Sequence, residues 1–139
     1  MQADLSILIW MSNPANGDIL SQLLSQAGLA HRVCDSVDEL VAEAGKGGGA
    51  LLLQEEGLAG EALERLDGFL RRQPPWSDLP VVMLLQAKRN GHAAEQKEGP
   101  RHIPNFILVE RPVASATLTS VLRTALQTRR RQYEMKALH

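Results

Sequence analysis

The chain has 139 residues and a formal net charge of -1, enough length for one domain with its own core and too little charge for a global field toward nucleic acid or an anionic membrane. Its single cysteine, Cys34, excludes an internal disulfide and a thiolate zinc cluster. No window is apolar for long enough to span a bilayer, and the N-terminus lacks the basic region and apolar core of a signal peptide, so the expected location is the cytoplasm.

Leu5 to Trp10 is a short apolar run and reads as the first strand, broken after Met11 by Pro14 and Gly17. A helix follows, because Ile19, Leu20, Leu23, Leu24 and Ala27 recur at helical spacing and Gly28 suits a left-handed stop. "HRVCDS" is a brief second strand. Ser36 and Glu39 form an S-x-x-E capping box, and Leu40, Val41 and Ala44 give the next helix one apolar stripe before Gly45. Gly47-Gly48-Gly49 then leads into "ALLLQEEGL", an apolar run of strand length that ends abruptly in Gln54, Glu55 and Glu56. Those polar side chains are expected to face solvent at the strand's carboxyl end.

Ala62, Leu63, Leu66, Phe69 and Leu70 mark a third helix, and the paired prolines of "QPPWSDLP" must leave helical conformation. "VVMLL", Val81 to Leu85, is the fourth strand. Residues 86–105 carry no apolar stripe, so a fourth helix there is expected to be short or missing. "FILVE", Phe106 to Glu110, restores the strand, and Arg111-Pro112 ends it. The last helix starts near Ser115 and turns Leu118, Val121, Leu122, Ala125 and Leu126 inward. It continues without a comparable stripe into "QTRRRQYEMKALH", which reads as a helix leaving a domain of residues 1–128.

Five strand-then-helix units imply a parallel five-stranded sheet covered on both faces, because parallel strands need crossovers. The expected class is α/β, a flavodoxin-like (CheY-like) three-layer α/β/α sandwich with strand order 2-1-3-4-5. In such sheets function sits at the carboxyl edge of the strands. The layout, the apolar runs and the closing "VERPVASATLTSVLRTAL" resemble the receiver domain of two-component response regulators, whose last strand ends in Lys-Pro.

That resemblance implies a small phosphotransfer site. In it, two acidic residues after the first strand and an aspartate after the third hold magnesium, and the aspartate accepts the phosphoryl group. A Ser or Thr after the fourth strand and a Lys after the fifth contact the phosphoryl oxygens. In this chain the acidic pair falls on Met11 and Ser12, the acceptor on Gln54, the Ser/Thr position on Leu85 and the Lys position on Arg111. Only the positive charge survives. An indel would move the acceptor onto Glu55, which leaves a phosphoaccepting receiver as an alternative.

The resemblance therefore implies a pseudo-receiver with no catalytic residue, no metal and no cofactor, signalling without accepting phosphate. "LLLQEEGL", "QPPWSDLPVVML" and "ILVERPVASATLTSVLRTALQTRRRQYE" further resemble the degenerate receiver-like segment at the N-terminus of certain bacterial sensor histidine kinases. This implies a protein partner or a downstream kinase or sensory region of the same chain, with residues 129–139 beginning a linker helix.

The remaining features have structural or binding readings. Glu55 and Glu56 with Arg111 form a candidate ion-pair cluster, or are simply solvated. Trp76 either anchors a partner or caps the sheet edge, and Trp10 reads as packing. "AGKGGGA" lacks the G-x-x-x-x-G-K-[ST] spacing and precedes a strand, so nucleotide binding is not expected there. His31, His92, His102 and His139 show no metal-ligand spacing and read as scattered surface residues.

Arg129, Arg130 and Arg131 read as a solvated helical collar, with a local nucleic-acid contact as the other reading. They are the sole support for a third function, the pseudo-receiver of an RNA-binding antiterminator. Tyr133, Met135 and Leu138 lie beyond the expected edge of the sheet. An isolated helical extension is marginal in water, so a homodimer through this tail is expected.

Overall fold

The computed structural model describes residues 5–85, 106–110 and 114–138. In chain order the elements are β1 (Ile7–Trp10), α1 (Pro14–Gln26), β2 (His31–Val33), α2 (Val37–Ala44), β3 (Ala50–Gln54), α3 (Gly60–Arg71), β4 (Val81–Leu85), β5 (Phe106–Glu110) and α4 (Ser115–Ala137). The strands form one parallel sheet in the order β2-β1-β3-β4-β5, with Ile9 beside Leu52, Leu52 beside Val82 and Val82 beside Ile107. This is the expected flavodoxin-like topology. The expectation of a short or missing helix in residues 86–105 lies outside the described residues.

Alternation along each strand divides the core into two layers. Leu8, Trp10, Leu51, Leu53, Val81 and Met83 face Leu40, Leu66 and Leu70 of α2 and α3. Ile7, Ile9, Leu52, Val82 and Leu84 face Leu20 and Leu24 of α1 and Leu118, Leu122 and Leu126 of α4. Both faces of β3 and β4 are fully covered, which explains their unbroken apolar runs.

Local signals set the helix ends. Asn13 caps α1 by accepting the Ala15 N–H at 3.0 Å, with Pro14 in the first turn where its missing N–H costs nothing. Pro14 and Gly17 therefore lie inside α1, although the sequence places both in the break before it. Gly17 is buried where a Cβ would come within 3.3 Å of Val33 Cγ1 on β2. At α2, Ser36 Oγ accepts the Glu39 N–H, while Glu39 Oε1 reaches one residue further back, to the Asp35 N–H. Gly28 takes the left-handed conformation expected of it after α1.

Two side chains depart from the periodicity reading. Ile19 is 63% exposed, because the buried face of α1 is centred on Leu20 and Leu24 and Ile19 falls outside it. Gln54 is only 5% exposed: β3 is central, and the strand end lies beneath the loops from β1 and β3 instead of opening to water.

Candidate functional site

The carboxyl edge of the sheet collects the residues that follow β1, β3 and β4. Met11 is buried and packs in the layer containing Leu52 and Leu84. Leu85 packs in the other layer, with Trp10, Leu58 and Met83. Between these layers the Ser12 N–H donates to Gln54 Oε1 at 3.2 Å, tying the end of β1 to the end of β3. The loop after Gln54 closes over this bond. Gly57 has φ +85, and a Cβ there would lie 2.8 Å from Ser12 Cβ. Glu55 donates its backbone N–H to the Leu84 carbonyl at 2.9 Å, and the Glu55 and Glu56 side chains are half-buried.

This donor set does not fit magnesium. Met11 offers a buried thioether and Ser12 a hydroxyl where a hard dication wants carboxylate oxygens, and the central position is a buried neutral amide. Among the described residues no cluster of three His, Cys, Asp or Glu could hold a metal ion. Arg111, and with it the candidate Glu55–Glu56–Arg111 cluster, lies outside the described residues, as do His92, His102 and His139. His31 is half-buried and held between Ser21 Oγ at 2.8 Å and the Leu29 carbonyl at 2.9 Å, so it braces α1 against β2 and is not a free surface residue.

Cys34 follows β2 at the same edge. Burial pushes its thiol up to about 11, with Glu39 adding to the shift and Arg32 opposing it. The thiol is neutral and inert near neutral pH.

The amino edge holds a second cluster, built around Arg129. This side chain is only 3% exposed, which corrects the reading of a solvated collar. Its Nε donates to the Gly48 carbonyl at 3.0 Å, Nη1 to Ser77 Oγ and Gln132 Oε1 at 2.7 Å each, and Nη2 to the Tyr133 hydroxyl at 3.4 Å. The guanidinium carbon lies 4.8 Å from the Tyr133 ring centroid and 5.2 Å from that of Trp76. Burial pulls its pKa below the ordinary arginine value, opposed by Tyr133 and Asp78.

Gln132 extends the anchor by accepting the Asp78 N–H at 2.7 Å and donating to the Asp78 carbonyl at 2.8 Å. Gln73 organises the loop that presents these groups, its Oε1 accepting from Ser77 Oγ and the Leu79 N–H.

The Gly47-Gly48-Gly49 run explains how α4 can approach so closely. A Cβ on Gly49 would lie 2.5 Å from Leu126 Cδ2, and one on Gly47 2.9 Å from the Tyr133 hydroxyl. Trp76 and Tyr133, singled out separately as interaction residues, meet each other at 5.0 Å. Contacts to the domain thus continue along α4 past the end of its apolar stripe. Met135 is 56% exposed and Leu138 77%. Arg130 and Arg131 are exposed.

Arg129 carried one sequence signal that periodicity does not score: Gln132 and Tyr133 follow at helical spacings of three and four, on the same face as Leu122 and Leu126.

No protein-family model and no curated protein sequence matches the chain. Solved structures do. NtrX from Brucella abortus, in complex with ADP, aligns over 99% of this chain with a TM-score of 0.71 and 23% identity, and the chain spans 29% of that protein's length. A response regulator receiver protein from Sinorhizobium medicae aligns over 91% of this chain and 97% of its own, with a TM-score of 0.67 and 16% identity. The chemotaxis response regulator CheY4 of Vibrio cholerae gives 0.67 and 18%, over 91% of this chain and all of the other. Strand order, helix placement and these alignments agree that the chain has the CheY-like receiver fold.

Proposed function

We propose that the chain is a receiver-fold signalling and protein-interaction domain that does not accept phosphate, and that it regulates a histidine kinase or sensory region of the same protein. The observation that carries this reading is Gln54. Its amide stands where the receiver resemblance puts the phosphoacceptor, is buried, and accepts the Ser12 N–H, while Met11 and Leu85, at two other positions of that assignment, are buried in the core layers. An amide is no nucleophile for phosphoryl transfer, and apolar neighbours supply no compensation for the charge of the transferred group. Signalling must then pass through contacts. The 23-residue α4, docked through Arg129, Gln132 and Tyr133 and exposed from Glu134 onward, is suited to carry them to a neighbouring module or to a second copy.

The test is treatment with a small-molecule phosphodonor and magnesium, followed by intact mass measurement. The expected result is an unchanged mass. A magnesium-dependent gain of one phosphoryl group would overturn the reading, and loss of that gain in Glu55→Gln would assign the acceptor to Glu55.

A further inference from the structure

The amino edge contains a cavity of about 450 Å³ between α2, α3 and α4, within the size range of small-molecule sites. Its apolar wall includes Val41, Ala44, Phe69 and Leu79. Five cationic side chains also line it, namely Lys46, Arg65, Arg72, Arg129 and Lys136, and no carboxylate does so among the described residues. Two of the five are matched from outside the cavity: Lys46 by Glu43 at 3.3 Å, and Arg65 by Asp38. The described ion pairs do not involve Arg72, Arg129 or Lys136; the Asp78 carboxylate partly offsets Arg129, and the two rim cations add positive charge facing the cavity.

These three differ in mobility. Arg129 is buried and fixed by four hydrogen bonds, whereas Arg72 and Lys136 are exposed at the rim. Lys136 Nζ rests 4.7 Å from the Trp76 ring centroid, a contact that an anion can displace at little cost because exposed cation–π pairs are weak. Arg129 and the indole meanwhile stay in place behind it. The cavity thus combines an apolar body pocket with a preset buried cation and two adjustable ones at its mouth.

We propose that this cavity binds an amphiphilic anion, an apolar or aryl body carrying one phosphate or carboxylate. The body lies against Val41, Phe69 and Leu79, and the head group is held by Arg72 and Lys136 beside Arg129. The site is at the opposite edge of the sheet from Gln54, so it stands or falls independently of whether the domain accepts phosphate.

The test is equilibrium dialysis of the whole chain against 2-naphthyl phosphate, with 2-naphthol and inorganic phosphate as the separate halves of the probe. Saturable binding at one site below about 1 mM is expected for 2-naphthyl phosphate, with each half weaker by about tenfold or more. The double variant R72A/K136A, both positions exposed, should weaken binding about tenfold while leaving the unfolding transition unchanged. Absence of saturable binding would overturn the proposal. So would equal binding of 2-naphthol, or an affinity unaffected by R72A/K136A.

Discussion

At the carboxyl edge of the sheet, the buried Gln54 side chain accepts the Ser12 N–H and sits beside Leu84 in the register, whereas at the amino edge Arg129 binds a carbonyl, two hydroxyls and an amide drawn from three separate segments. The edge that carries function in open α/β sheets is here closed around a neutral amide, with Glu55 and Glu56 half-buried beside it. The edge usually reserved for stability holds the buried charge, the aromatic pair and the cavity. Polar side chains are concentrated where α4 is held against its own domain.

Removing Arg129 should break that arrangement most severely. Arg129→Ala leaves the Gly48 carbonyl, Ser77 and Gln132 without their shared donor in a buried setting, and a loss of about 3 kcal/mol in urea unfolding is expected. Arg129→Lys should recover less than half of it, because an ammonium cannot serve three diverging acceptors with the planar geometry of the fork. A loss below about 0.5 kcal/mol would return Arg129 to the status of a surface residue.

The converse substitution tests the closed edge. Gln54→Asp places a carboxylate at a buried strand end beside Leu84, where the charged form is poorly solvated, so about 2 kcal/mol should be lost at neutral pH. Burial raises the folded-state pKa of the introduced carboxyl above its unfolded value. The penalty is therefore absent at acid pH and appears as pH rises through the folded pKa. Restored magnesium-dependent phosphorylation in this variant would mean that one residue alone had silenced the site.

Much of the fold can be read from the sequence because its signals are local. The apolar runs of β3 and β4, the Ser36 cap and the stop at Gly28 each act within a few residues. The amino-edge cluster cannot be read that way. Arg129 joins Gly48 and Ser77, 81 and 52 residues away, and only the spacing of Gln132 and Tyr133 after it sets it apart locally from the exposed Arg130 and Arg131. Gln54 misleads for a related reason: a polar residue at a strand end faces water only if the loops leave it open, and here Gly57 folds back onto Ser12. That Met11, Gln54 and Leu85 differ in type from the residues the receiver resemblance calls for is legible in the sequence, whereas their burial required the structure to be seen.

Cys34 gives a smaller effect, confined to alkaline pH. Its thiol ionises at about 11 in the folded chain against an ordinary value of 9.0. A raised pKa means that the contribution is complete below the unfolded value and is lost as pH climbs toward the folded one. Stability should fall by about 1 kcal/mol near pH 10, and Cys34→Ala should flatten that limb of the pH profile. Rapid alkylation of native protein at neutral pH would show instead that the carboxyl edge opens readily.

The smallest effect on folding is expected at the far end of α4, and there the outcome bears on assembly. Met135 and Leu138 are 56% and 77% exposed, so the double variant M135S/L138S should change the unfolding free energy of dilute protein by less than about 0.5 kcal/mol. If the tail pairs with a second copy as proposed, sedimentation equilibrium should show concentration-dependent association of the natural chain and a shift toward monomer in the variant. Cutting the chain after Arg129 is a poorer test, because it also removes Gln132 and Tyr133, which hold the loop at Asp78 and the guanidinium itself. The exposed pair separates the two roles of α4: residues through Tyr133, with Lys136 on Trp76, hold the helix to its own domain, and Met135 and Leu138 are available to a partner. A natural chain that stays monomeric at high micromolar concentration would leave the first role intact and remove the second.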